Sequence, residues 1–143
     1  MVWPHEWSYP DFGSEPYLIS IDDDTCISFG CTFVTHDASI HVCEKVDKKC
    51  PKLIKFGKIS IGKNCFIGCR CIILPNVTIG DNCIVGAGSL VNKSIPSGQV
   101  WAGTPAHFIM TTKEYTKKCI KANKDKLNIE AWNIVCEHRN KNG

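Results

Sequence analysis

From Ile61 the chain advances in steps of six: IGKNCF, IGCRCI, ILPNVT, IGDNCI, VGAGSL, VNKSIP. Aliphatic residues stand at Ile61, Ile67, Ile73, Ile79, Val85 and Val91, and Gly follows at 62, 68, 80 and 86. Four places after each aliphatic comes a small or apolar residue: Cys65, Cys71, Val77, Cys83, Ser89, Ile95. Ile, Leu and Val make up 31 of the 143 residues. Six in one register then arise by chance about once in ten thousand trials of the template. Period six matches neither the 3.6 of an α-helix nor the alternation of a sandwich strand, and Gly repeated inside a helix would cost about 1 kcal/mol each. The pattern predicts a parallel β-helix, an all-β solenoid in which each unit is one short strand and a turn and three units make a coil. The aliphatic and the small residue point inward, and the Gly is expected to permit the corner backbone.

The same period appears upstream in another register, at Ile21, Ile27 and Phe33. Phe33 to Ile61 is not a whole number of units, so a segment leaves the coil. Asp37 to Gly57 is that segment, rich in lysine and broken by Pro51. Loops that exit a regular solenoid often line a binding face. After Met110 the chain turns polar and lysine-rich. Tyr115, Cys119 and Ala122, then Trp132, Val135 and Cys136, fall at helical spacings. The predicted organisation is a solenoid over 1–110, with an excursion over about 37–57, and short helices over 111–143 capping its open end. Trp3, Trp7, Tyr9 and Phe12 are expected to cover the other end or a neighbouring subunit.

Composition excludes several classes. A net charge of +3 with no dominating basic block argues neither for nor against nucleic acid, and no nucleic-acid partner is expected. No apolar run approaches the roughly 20 residues of a membrane span. Ten cysteines contain no Cys-x-x-Cys pair, and several occupy core positions of the repeat, where free Cys acts as a small hydrophobe. The N-terminal residues show no secretory pattern, so a cytoplasmic chain with reduced thiols is expected. The run Asp22-Asp23-Asp24 reads as solvated turn residues, and no metal is expected. His5, His107 and His138 read as structural or solvent-facing.

The array, its closing stretch from Ile84 to Gly98 and the following Ala102-Gly103-Thr104-Pro105-Ala106 closely resemble the left-handed parallel β-helix acyltransferases of the hexapeptide-repeat family. The segment from Tyr17 through Thr35-His36-Asp37 resembles the branch that includes maltose, galactoside and capsular polysaccharide O-acetyltransferases. The resemblance spans about residues 17 to 110. It implies an acetyl-CoA-dependent O-acetyltransferase acting on a sugar or a surface-polysaccharide precursor. His36 would be the general base, and the amide of Cys69 would face the tetrahedral intermediate. Imidazole suits such a task because its ordinary pKa lies near the operating range. The resemblance also implies coenzyme contacts at Phe66, Gly68, Cys69, Gly86, Ala87, Asn92 and Lys93, and a homotrimer with the acyl-CoA groove between chains. His41 would orient the acceptor or stand exposed.

The chain departs from that pattern at Asp22, Asn92 and His107, which bears on the nucleotide end of the coenzyme. N-acylation of an amino-sugar nucleotide and a non-catalytic binding solenoid remain alternatives. A zinc enzyme of the carbonic anhydrase type on this fold needs three converging histidines, and the array from Ile61 to Pro96 contains none.

Overall fold

The computed structural model describes residues 9–123 and 127–142. The first coil is β1 (Ile19–Ile21), β2 (Cys26–Ile27) and β3 (Thr32–Phe33). The chain then leaves through β4 (His36–Asp37), α1 (Ile40–Val46) and β5 (Lys55–Phe56). It returns as a second coil, β6 (Ile59–Ile61), β7 (Phe66–Ile67) and β8 (Ile72–Ile73), and a third, β9 (Thr78–Ile79), β10 (Ile84–Val85) and β11 (Leu90–Val91). A last partial coil runs from Ile95 into β12 (Gln99–Gly103). Equivalent strands stack in parallel into three faces: β1-β6-β9, β2-β7-β10-β12 and β3-β8-β11. Ile61 pairs with Ile79, and Phe33 with Ile73, so the excursion is absorbed without breaking register.

The core is the two inward columns that the repeat predicts. Ile59, Ile67, Cys71, Ile73, Cys83, Val85 and Val91 are fully buried. The small column has a hydrogen-bonding task as well as a packing one. Thr25 Oγ1 donates to the Gly62 carbonyl at 2.7 Å, and the thiols of Cys31, Cys65, Cys71 and Cys83 donate to carbonyls of Gly68, Gly80, Gly86 and Pro96 at 3.0–3.2 Å. Each closes a corner carbonyl of the coil above, so these positions take residues that are both compact and able to donate. The Cys31 sulfur and burial push the Cys71 thiol up, and Cys83 and burial do the same to Cys65.

The repeat glycines serve a different purpose from the expected one. The left-handed corner conformations belong mainly to Asp24, Asn64, Asn82 and Gly98 at the first corner and Gly30, Arg70 and Gly88 at the second. Gly62, Gly68, Gly80 and Gly86 do not have positive φ; they are small because the next coil presses on them. A Cβ on Gly68 would stand 2.5 Å from the backbone nitrogen of Ala87.

The ends are closed by strand pairing more than by helices. Asp11 bridges Thr32, and Phe12 stacks on Phe33 with ring centroids 5.1 Å apart, so the N-terminal segment covers the first coil as expected. Tyr9 is exposed, and Trp3, Trp7 and His5 lie outside the described residues. At the far end, β13 (Ala106–Thr111) folds back antiparallel on β12. Pairing the edge of β12 this way was not foreseen, and it covers that edge with backbone. α2 (Thr112–Asn123) touches β12 and β13, and α3 (Leu127–Asn142) packs with α2. Tyr115, Trp132 and Val135 stay exposed. Helices form where the spacing placed them, and α2 meets the last coil through β12.

Candidate active site

His36 begins the excursion, at the point where the third face ends. Val34 N–H still bonds the Ile73 carbonyl, and then β4 peels away to pair antiparallel with β5, His36 opposite Phe56 and Asp37 opposite Lys55. Gly57 N–H closes the clasp onto the Thr35 carbonyl at 2.8 Å. This fixes His36 on a backbone held from both sides.

Glu15 holds the imidazole. Its Oε2 lies 2.9 Å from His36 Nδ1 and accepts from Thr35 Oγ1 at 2.6 Å, while Oε1 accepts from Ser14 Oγ at 2.7 Å. These hydrogen bonds, from Thr35, Ser14 and His36 in that order, draw the Glu15 pKa down to about 2. An ionised carboxylate can only accept, so Nδ1 carries the proton, and in the neutral ring Nε2 is the nitrogen with the lone pair. The His36 side chain is 42% exposed and that of Glu15 14%, so the imidazole is the more open of the two. Glu15 was missed in the sequence because it lies 21 residues before His36, outside any periodic segment.

The remaining candidates fall elsewhere on the prism. Cys69 is in the second corner, between β7 and β8, with Gly68; Gly86 and Ala87 occupy the same corner one coil on. The Cys69 carbonyl accepts from Gly88 N–H at 2.8 Å, and its own N–H donates to no group among the described residues. Gly68 is buried beneath Ala87, whereas Ala87 is exposed. Phe66 projects from the second face, 45% exposed, in register with Cys26 and Ile84. Asn92 and Lys93 are exposed at the third corner, the corner from which His36 departs. One chain therefore places His36 and Cys69 at opposite edges of the third face, since Phe33 is level with Ile73 and His36 departs beyond that point.

A cavity of about 620 Å³ opens where the second face meets the start of α2, lined by Cys26, Asn64, Phe66, Asn82, Ile84 and Lys113 among others. It takes in Phe66 and stands apart from His36. His41 is exposed on α1, His107 is exposed with Nδ1 3.4 Å from the Pro105 carbonyl, and His138 is exposed on α3. Asp22, Asp23 and Asp24 are all exposed. Among the described residues no group of three or more His, Cys, Asp or Glu is placed to hold a metal. No helix among them is long and apolar enough to cross a membrane.

The family model described as bacterial transferase hexapeptide, six repeats, matches residues 58–93. Residues 58–93 thus carry the hexapeptide repeats of that family. The chain is 44% identical over 110 residues to protein CapG of Staphylococcus aureus, covering 77% of this chain and 62% of CapG. The chain spans about three-fifths of the length of the curated relatives it matches. Among solved structures it is similar to a galactoside acetyltransferase in complex with coenzyme A, at 34% identity and TM-score 0.54, covering 65% of this chain and 44% of that one. It is also similar to a point mutant of AntD, an N-acyltransferase from Bacillus cereus, in complex with dTDP-4-amino-4,6-dideoxyglucose and coenzyme A. Identity there is 26% and TM-score 0.55, with 73% of this chain and 60% of that chain covered. The hexapeptide array of this chain thus shares its fold with proteins that bind coenzyme A.

Proposed function

We propose that this protein transfers an acetyl group from acetyl-CoA to a hydroxyl of a sugar or a surface-polysaccharide precursor, with His36 as general base. The observation that carries the reading is the Glu15–His36 pair: a carboxylate fixes one ring nitrogen at 2.9 Å and leaves the other free on an exposed rim. His36 Nε2 takes the acceptor proton as the oxygen attacks the thioester carbonyl. The tetrahedral oxyanion is met by the Cys69 N–H, and collapse expels the coenzyme thiolate, which takes the proton back from His36. Phe66, Gly68, Gly86, Ala87, Asn92 and Lys93 line the coenzyme path, with Gly68 shaping the corner and Lys93 offering a point charge to a phosphate.

Because His36 and Cys69 sit at different corners, the reactive site forms between two chains of a homotrimer of left-handed β-helices, one supplying the base and the next the oxyanion donor. The excursion over 37–57 governs the acceptor. The protein works in the cytoplasm, where its unbridged thiols stay reduced.

The similarity to an N-acyltransferase favours a second reading, acylation of an amine on a nucleotide-linked sugar, for which His36 would serve equally. The deciding experiment follows thiol release from acetyl-CoA with a panel of sugars and sugar nucleotides, wild type beside His36→Ala. Loss of a general base should lower turnover by about 10²- to 10⁴-fold. Equal turnover would place the base elsewhere. Failure of both proteins to turn over or to bind coenzyme A would leave a binding solenoid. Hydroxylamine separates the two products, since it cleaves an O-acetyl ester and spares an amide.

A further inference from the structure

Phe56 stands directly opposite His36 in the β4–β5 pair, so both side chains leave the clasp on one face. Their ring centroids are 5.7 Å apart at 48°, and Phe56 is 55% exposed. A large aromatic ring costs free energy when left in water, and the described fold does not cover this one. A flat apolar face beside the base is suited to the apolar face of a sugar ring, whose hydroxyls would then reach Nε2.

The charge around it is just as uneven. Residues 37–58 hold six lysines, Lys45, Lys48, Lys49, Lys52, Lys55 and Lys58, against Asp37, Glu44 and Asp47. That excess equals the net charge of the whole chain, +3, so the rest of the molecule is balanced. Lys55 is placed against Asp37. Among the described residues none of the six lysines makes a salt bridge. A concentrated positive field on the segment that holds Phe56 against His36 draws anions and raises their local concentration.

We infer that the excursion selects an acceptor sugar carrying an anionic group, a phosphate or a carboxylate. The ring rests on Phe56 beside His36, and the charge lies among Lys48, Lys49, Lys52 and Lys58. This rests on the transferase reading for its consequence in catalysis, but binding tests it without turnover.

The experiment measures binding of galactose, galactose 1-phosphate and galacturonic acid to the full chain by ligand-observed NMR and calorimetry, alongside thiol release from acetyl-CoA. At least one anionic sugar should bind about tenfold or more tightly than galactose at low salt, and the advantage should collapse as salt rises. The variant Lys48→Glu/Lys49→Glu/Lys52→Glu should abolish that advantage and leave the KM for acetyl-CoA unchanged. Phe56→Ala should weaken the neutral and anionic sugars alike. Equal binding of all three sugars, or a preference that survives charge reversal, overturns the inference. So does a rise in acetyl-CoA KM alone, which would assign the lysines to the coenzyme. Anionic preference without any thiol release would sink the transferase reading and keep this one. Efficient turnover of neutral sugars without preference would do the reverse.

Discussion

A glutamate that stays ionised down to about pH 2 constrains the imidazole it touches. With Nδ1 committed to Glu15, His36 has one tautomer and one free nitrogen. On the proposed mechanism Glu15 would be a positioning residue, and its loss should show as such. Glu15→Gln keeps an acceptor and should lower kcat by about tenfold, and Glu15→Ala by more, each with little change in the KM for acetyl-CoA. A matching rise in KM instead would mean that Glu15 binds substrate. The same contact has a pH signature. The folded value lies below the ordinary 4.5, so its contribution to stability is complete above about pH 4.5 and fades as pH falls toward 2. Denaturant midpoints recorded across that interval should fall for wild type and change less for Glu15→Gln. Gly68 gives a second residue-level expectation. A methyl there would strike the Ala87 backbone, so Gly68→Ala should destabilise by about 1–3 kcal/mol in urea unfolding, an overpacking cost.

At the level of elements, the two-residue strands are too short to be stable alone, and their stability comes from stacking. Neighbours within one strand should therefore differ sharply. Ile67 is 0% exposed and Phe66 is 45% exposed. Ile67→Ala should cost about 2–5 kcal/mol, measured by urea midpoint, and Phe66→Ala clearly less. Comparable losses would mean that the outer face is buried in the assembly. This alternation was legible because inward positions recur every six residues and burial depends only on that recurrence. The cysteine columns were legible as small core positions, but their bonds to carbonyls of the coil above were not. The reason for the glycines was misread, since close approach between coils is a property of two segments separated by a whole coil of chain, whereas φ is local. Glu15, the β4–β5 clasp and β13 were invisible for a related reason: each is defined by a partner outside the repeat, and none recurs. The excursion itself was legible from arithmetic alone, because Phe33 to Ile61 does not fit the period.

Across the whole molecule, if His36 and Cys69 act together as proposed, the separation of their corners makes assembly part of the chemistry. The proposed site would place one chain's third corner, with His36, against its neighbour's second, with Cys69 and Ala87. The consequence is complementation. His36→Ala lacks a base but keeps an open second corner. Ala87→Trp keeps the base but fills the exposed Ala87 position with a bulky ring. Each should be nearly inactive alone. Denatured together in equal amounts and refolded, they should form mixed trimers in which one interface of three joins an intact His36 to an intact Ala87. Random mixing then restores about a quarter of wild-type thiol release. Light scattering should report a trimer for both variants and for the mixture. If each variant is inactive and the mixture stays so while trimers form, the site lies within one chain, and the path between His36 and Cys69 must be closed by movement of the excursion instead.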